Sequence, residues 1–410
     1  MNIPKNIAGK DFNDNKYAYF EELRENSPVH KGKFFVMNAT FLSRYQDCAD
    51  ILRDDRFIRN RSVALGGGGR MPFPLPKSVA LVATSMITED NPAHRRLRLL
   101  VNKAFTPSSL TTMEQQIEDL TNELLDEAEP KGTVDLVQAY ALPIPVKVIS
   151  ALMGVSDEDM PRFKQGIRVL TEGMSGWGIA RTFLWDMPKV IKFSRKLIER
   201  KRAEPGPDVL SSLIAAEEEG EKLNEDELVA MIFLLIFAGY ETTVHLITNA
   251  VLTLLQHPDQ LEKLCANPEL TGGAVEEVMR FRGPVHGTKP NYATEDIEMH
   301  GVTIEKGSMV FPLLGAANRD PQFFDNPDVF DIQRSPNKHL GFGYGIHLCL
   351  GAWLARLETK VAINTLLRRN PNLQLAVKEE ELELQRLPLW HRYQNLPITL
   401  RQGDTHKVTA

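Results

Sequence analysis

The chain is poor in cysteine and has no local metal cage. Cys48, Cys265 and Cys349 are the only cysteines in 410 residues. That odd, sparse set argues against a disulfide framework and fits a reducing compartment, here the cytoplasm. No CxxC or HxxxH pair lies near Cys349, so the four ligands of a zinc site are not to hand. No long basic tract accompanies the net charge of −6, which gives nucleic acid no electrostatic footprint. Long apolar runs are missing too. The longest, residues 229–239, is about half of what spans a bilayer, and residues 1–6 carry no apolar signal region, so neither leader nor membrane anchor is expected. No internal repeat and no flavin- or iron–sulfur-binding segment is visible. What is present is an ordinary globular mixture, 42% hydrophobic and 25% charged, with ample apolar mass for a core.

One stretch carries distinctive chemistry: Phe342-Gly343-Tyr344-Gly345-Ile346-His347-Leu348-Cys349-Leu350-Gly351. Its glycines let backbone approach a flat, bulky group without side chains in between. The pattern predicts a helix beginning near Leu350, which sets Cys349 at the positive end of the macrodipole among unpaired amide N–H groups. Both effects favour thiolate, the form that binds metal. One thiolate can be the single protein ligand of a haem iron; the plainer alternative is a structural cysteine in a glycine-rich turn. The ten residues match Phe-Gly-x-Gly-x-His-x-Cys-x-Gly, and on this motif the chain resembles the cytochrome P-450 monooxygenases, in their soluble bacterial style, over nearly its whole length. The resemblance implies a mainly α fold with a small β region and a single domain over residues 1–410. It also implies haem b (iron protoporphyrin IX) between a long central helix and the cysteine-loop helix, with Cys349 on the iron and Phe342, Gly343 and His347 beside it.

Local patterns agree with a helix-rich chain. Residues 17–25 and 46–52 read as helices, and residues 34–37 and 39–42 as two strands joined near Asn38. Residues 61–77, with four consecutive glycines and then three prolines in five residues, read as loop. By resemblance, 72–75 lies in the lid over a substrate pocket. Helical patterns follow over 113–128, 137–153 and 188–202, the second bent by Pro143 and Pro145. Residues 173–185 are the least regular. Strand-like material returns at 297–303, 309–314 and 396–400, and residues 403–410 read as a frayed tail.

The long central helix is announced by Asn224, an N-cap candidate, with Glu227 three residues on, a capping-box pattern. It is expected to run to Gln256, ahead of His257-Pro258, roughly 50 Å. Within it, Ala238-Gly239-Tyr240-Glu241-Thr242-Thr243 sets a glycine and two threonines against helix propensity. A threonine hydroxyl turned to a carbonyl one turn back would open the helix locally. By resemblance, Ala238 lies against haem, and Glu241 and Thr242 deliver or organise protons for dioxygen. Read alone, the motif is a small-residue packing notch in which Glu241 is an awkward buried charge.

The resemblance extends to the groups that would hold haem. His94 and Arg98 share a helix face and, with His347, would donate to its propionates. Glu277-Val278-Met279-Arg280 supplies a structural Glu-x-x-Arg, expected to lock to Arg319 in Asn318-Arg319-Asp320-Pro321. One departure stands out: where relatives usually carry a propionate-binding arginine before Ala-x-Glu-Asp, this chain has Asn291, with Lys289 two residues earlier. Leu235, Val285, His286, Gly287, Leu389 and Trp390, with parts of 65–85 and 170–185, are expected to wall the pocket, His286 offering its polar contact.

The expected activity is hydroxylation or epoxidation of a hydrophobic small molecule (fatty acid, steroid, terpenoid or polyketide) with dioxygen. Electrons would come from a separate ferredoxin or flavodoxin and its reductase, docking on a face that includes Lys103 and Arg356. The protein is expected to be a monomer. A peroxide-driven peroxygenase of the same fold and a non-catalytic haem-binding protein are the alternatives. Retention of Glu241-Thr242 counts against both.

Overall fold

The computed structural model describes residues 3–67, 81, 85–104, 113–156, 158–160, 163, 187–218 and 223–400. The expected lid at 72–75, the irregular stretch 173–185 and the tail 403–410 lie outside the described residues. The chain divides into two compact units. The first comprises Met1–Gly67, Gln116–Ile144 and Thr242–Ala410, the second Gly68–Gln115 and Pro145–Glu241.

The first unit holds the described strands: β1 (Val29–Phe34), β2 (Met37–Leu42), β3 (Phe57–Ile58), β4 (Thr133–Asp135), β5 (Asn291–Ala293), β6 (Ile297–Met299), β7 (Val302–Ile304), β8 (Met309–Pro312), β9 (Gln374–Leu375) and β10 (Pro397–Thr399). They form a five-stranded sheet in the order β1-β2-β8-β5-β3, a three-stranded sheet β4-β10-β9 and the hairpin β6-β7. The β1–β2 ladder runs from Val29↔Leu42 to Phe34↔Met37 and pairs Asn38 with Lys33. The turn is therefore Phe35-Val36, not Asn38 as expected. A two-residue hairpin demands positive φ, and Phe35 takes it, at +56°. The large sheet's core is aromatic: Phe41 stacks on Phe311 at 5.6 Å, packed with Phe20 and Leu23 of the helix Lys16–Asn26. Each such buried side chain contributes roughly 1.5–3 kcal/mol.

The expected helix over 137–153 is divided. Val137–Ala141 is a π turn, closed by Leu142 N–H donating to the Val137 carbonyl at 2.9 Å, and the α-helix proper is Pro143–Leu152. Pro143 and Pro145 have no N–H to give to the preceding turn, so the helix starts afresh at the first of them.

The second unit is helical. Ala93–Ala104 packs against Val209–Glu218, which also packs against Met187–Ala203. A largely buried ion pair, Lys201 Nζ to Asp208 Oδ2 at 2.7 Å, fixes the connection between the last two.

The central helix is Glu225–Gln256, thirty-two residues and so about 48 Å. Its N-terminus is the predicted capping box: Asn224 N–H donates to Glu227 Oε2 and Glu227 N–H to Asn224 Oδ1, each at 2.9 Å. The boundary between units falls within it, after Glu241. The helix stays α-helical through 238–243. By length and composition it could cross a membrane, but 76% of its most apolar window is buried inside the protein.

Candidate functional site

In the first unit the cysteine loop is held by its own backbone. Gly343 N–H donates to the Leu340 carbonyl at 2.8 Å, and Cys349 N–H to the Phe342 carbonyl at 2.9 Å. Gly343 and Gly345 sit at φ +74° and +70°, the left-handed region that glycine enters without strain. Gly345 also lies so close to the Leu52 carbonyl that a Cβ would fall 2.1 Å from it. The following helix begins at Ala352, with Gly351 as N-cap, rather than near Leu350. Cys349 thus stands on the loop ahead of the first turn. It is exposed, and Arg356, one turn into the helix, feels its charge. The other thiols differ: Cys48 is fully buried, donates to the Leu42 carbonyl, and burial pushes its pKa well up; burial also raises that of Cys265. Of the three, Cys349 has the guanidinium neighbour that favours thiolate.

The helix Thr271–Arg282 braces this loop through two adjacent carboxylates. Glu276 takes Arg356 at 2.6 and 2.9 Å and His339 at 3.1 Å. Burial works to raise the Glu276 pKa, but the bonds from Arg356 and His339 outweigh it and hold it at about 2. Arg356 in turn lies 4.3 Å over the Phe342 ring. Glu277 is fully buried and receives both Arg280 Nη2 at 2.7 Å and Nε at 2.8 Å, Arg334 Nε at 3.1 Å, Asn337 Nδ2 at 3.0 Å and Asp331 N–H at 3.0 Å. Arg280 also donates to the carbonyls of Asn318, Pro327 and Val329, and Arg334 to those of Asp325, Asn326 and Val329. Asn318 Oδ1 then accepts Leu340 N–H at 2.7 Å, carrying the network to the start of the loop. The arginine that joins the Glu277–Arg280 pair is therefore Arg334, not the expected Arg319. Arg319 points away, donating to the Phe281 carbonyl and Asp328 and lying 3.6 Å over the Phe281 ring.

On the central helix, the side chain of Glu241 is buried and accepts a hydrogen bond from the Tyr240 hydroxyl at 3.3 Å. Thr242 is half-buried. Ala238 is exposed although Ile236 and Tyr240 on either side are buried. Gly239 faces the other way, where a Cβ would touch Ile149 at 3.4 Å; the packing-notch reading holds for this residue.

Comparison with known proteins decides what this arrangement belongs to. The family model for cytochrome P-450 matches residues 69–376. The chain belongs to the cytochrome P-450 family. Among its relatives is the polyketide biosynthesis cytochrome P-450 PksS of Bacillus subtilis (strain 168), 38% identical over 397 residues, which cover 96% of this chain and 97% of the relative. The PksS structure superposes with a TM-score of 0.89 over 97% of this chain and 99% of the other. That of P450BioI in complex with a hexadec-9Z-enoic acid ligated acyl carrier protein, 38% identical, gives 0.86 over 95% and 99%. The protein is thus a P-450 monooxygenase that uses haem b, and its fold is that of the family.

The residues present fit that cofactor. Among the described residues no three His, Cys, Asp or Glu side chains gather as they would around a bare ion, so an iron at Cys349 must bring ligands of its own, as haem iron does. Ile346 and Leu348, beside the cysteine, are 41% and 44% exposed and offer an apolar surface to a flat ring. In the second unit His94 and Arg98 share the helix Ala93–Ala104 as expected. His94 is buried and its pKa is lowered by burial and then by the Arg98 charge, so it is a neutral donor beside a cationic one. His347 closes the short 3-10 turn Gly345–His347.

The expected pocket walls divide. Segments 284–287 and 389–391 do meet: Val285 bridges Trp390, and His286 N–H donates to the Leu389 carbonyl at 2.8 Å. Gly287 leaves no room for a Cβ beside Leu389. Leu235 is buried on the central helix. His286, however, is not placed for a substrate. Its ring is buried among Tyr17, Phe20 and His391, at centroid distances of 5.6, 5.6 and 5.3 Å. With Leu389 and Trp390 it lines a water-sized cavity against Phe12, Asn13 and Lys16. Imidazole carbons pack edge-on against aromatic rings, so a histidine is accepted in this core. Tyr240, Glu276 and Arg334 were not singled out from sequence. Only adjacency to named motif residues pointed to the first two.

Proposed function

We propose that this P-450 hydroxylates a long apolar acyl chain of fatty-acid or polyketide type, free or carried as a thioester. Electrons come from a separate ferredoxin or flavodoxin and its reductase. The observation that carries the chemistry is Cys349 on a glycine loop braced by Glu276 and Glu277, with Arg356 beside the sulfur. The substrate class is supported by the names of two relatives, one of polyketide biosynthesis and one bound to a fatty-acyl carrier protein. Cys349 would hold haem iron; the bound haem supplies oxygen activation, the thiolate favouring O–O cleavage. The guanidinium of Arg356 and the amides of the loop would favour the thiolate form of Cys349. His94, Arg98 and His347 would orient the cofactor by its carboxylates. Glu241, bonded to the Tyr240 hydroxyl, holds a proton at its carboxyl and passes it towards Thr242, whose hydroxyl positions it for dioxygen. The apolar walls exclude bulk water and hold one C–H bond in place. The protein works as a single-domain cytoplasmic monomer.

The test has two parts. The reduced carbonyl complex should show the strongly red-shifted Soret band of thiolate ligation, and Cys349→Ala should abolish it. Palmitic acid and palmitoyl carrier-protein thioester should shift the haem spin state, and turnover with a ferredoxin pair should exceed that with peroxide alone. A Cys349→Ala protein that kept the band would overturn the ligand. A panel in which only steroids or terpenoids shift the spin state would overturn the substrate class.

A further inference from the structure

Strand β5 begins with an unsatisfied group. Asn291 is 3% exposed, and its side-chain Nδ2 has no hydrogen-bond partner among the described residues, a costly state for a buried amide. The β3–β5 ladder pairs Phe57 with Ala293 and Ile58 with Tyr292. The next step sets Arg59 opposite Asn291, and directly opposed residues share a face. Arg59 is itself buried. Its Nη1 donates to the carbonyls of Lys289 and Pro290 and lies 3.3 Å from Thr288 Oγ1, which fixes the guanidinium alongside the start of β5. Lys289 adds a second cation. It keeps surface in solvent, yet crowding by protein atoms and then the Arg59 charge lower its pKa. Two mutually repelling cations and an unpartnered amide donor on one strand end suit an anion with two acceptor oxygens. The location agrees: Leu52 and Arg53, just before β3, pack against the cysteine loop, Arg53 lying 4.7 Å over the Tyr344 ring.

We infer that Arg59, with Asn291 Nδ2 and Lys289, forms a carboxylate-binding site in which Arg59 supplies from one strand the cation that Asn291 lacks on the next. The carboxylate belongs either to a haem propionate or to the acid end of an acyl substrate. The inference rests on haem binding at Cys349.

The experiment uses the full-length haem-loaded protein. Transfer of haem to excess apomyoglobin should be about tenfold faster in Arg59→Ala if the site holds a propionate. If it holds a substrate acid, transfer is unchanged. Palmitic acid then binds about tenfold more weakly by spin-state titration, while its methyl ester binds as in wild type. Moving the cation back across the ladder, with Arg59→Asn and Asn291→Arg together, should restore the affected reading, which loss of the Nη1 bonds to carbonyls would not allow. Should Arg59→Ala fail to fold, Asn291→Asp, equal in volume but negative, should give the same loss. Wild-type values for haem transfer and palmitate in both variants would overturn the inference, as would a loss that the swap does not restore. Cys349→Ala run in parallel separates the two failures. If it abolishes the thiolate band while Arg59 variants behave as wild type, only the carboxylate site is wrong.

Discussion

Between Leu340 and Gly351 the backbone is irregular, yet it is anchored at both ends and from below. Asn318 holds Leu340, Glu276 holds His339 and Arg356, and the Leu52 carbonyl sits under Gly345. Between Ala238 and Thr243 the backbone is regular α-helix, yet a glycine and two threonines make it a poor helix by propensity. The first region has borrowed rigidity, from carboxylates on another helix. The second keeps the regular ladder of its own helix. In the function proposed above, a sulfur that holds metal needs one fixed position, which the brace supplies, and a segment that moves protons needs polar side chains, for which weak helix formers are accepted.

Removing the brace should give the largest effect. Glu277→Ala leaves Arg280 and Arg334 as buried cations without a carboxylate, and should lower unfolding stability by about 3–5 kcal/mol. Denaturant titration of the haem protein reads this, and the cysteine loop should loosen with it, seen as faster haem loss. A midpoint close to wild type would show the loop to be self-supporting.

On the helix the expected effect is functional rather than structural. Thr242→Ala should shift stability by about 1 kcal/mol or less and leave haem loading, substrate binding and reductant consumption intact. Product per reductant should fall severalfold and hydrogen peroxide rise. Glu241→Gln should slow turnover as a whole, since it removes the titratable group beside Thr242. Equal product yield in wild type and Thr242→Ala would mean that protons arrive by another route, and that this segment is only a packing notch.

A smaller effect is expected in acid. His286 and His391 are buried, and burial first, then the Lys16 charge, holds their pKa values well below 6.5. The unfolded chain takes up protons near 6.5 while the folded one does not, so stability is complete above that pH and falls as pH drops through it. Glu276 is depressed to about 2 from 4.5; its contribution is complete above 4.5 and is lost only as pH falls from there towards 2. Denaturant midpoints should therefore decline from about pH 6.5 downward, and His391→Phe should flatten that decline. A wild-type profile level down to pH 5 would refute it.

The least effect is expected at the surface. Arg356 already faces Glu276, so Arg356→Gln should disturb the loop more than partner encounter. Lys103 is exposed at the end of its helix. Lys103→Gln should slow reduction by an acidic electron carrier about twofold at low salt and not at high salt. Equal rates for both proteins at low salt would remove Lys103 from the docking face.

Much of the architecture was legible because it is local. Asn224 and Glu227 announce a helix start through side chains three residues apart, and the expected helix over 113–128 is found as Met113–Ala128. Strand β5 was not foreseen: it is three residues long and buried throughout, so it shows no alternation to read. The choice of Arg334 over Arg319 was equally hidden. Both arginines lie in the segment after β8, and which one reaches Glu277 depends on how that segment folds over the helix Thr271–Arg282. His286 was misread because a histidine near a cofactor motif looks like a polar contact, while its burial is set by Tyr17 and Phe20, far away in sequence. In the packing-notch reading Glu241 was an awkward buried charge, though a hydroxyl that bonds it, that of Tyr240, was adjacent in the chain.

The segment 325–329 is gripped by its carbonyls: Arg334 takes Asp325, Asn326 and Val329, and Arg280 takes Pro327 and Val329. A carbonyl is the same in every residue. Apart from Asp328, which receives Arg319, and Asn326, whose φ of +46° suits asparagine, side chains along this stretch are free to drift, as the exposed Val329 shows, while its length is not. One inserted or deleted residue would shift every oxygen past its guanidinium, so this surface loop should accept substitutions readily and insertions hardly at all.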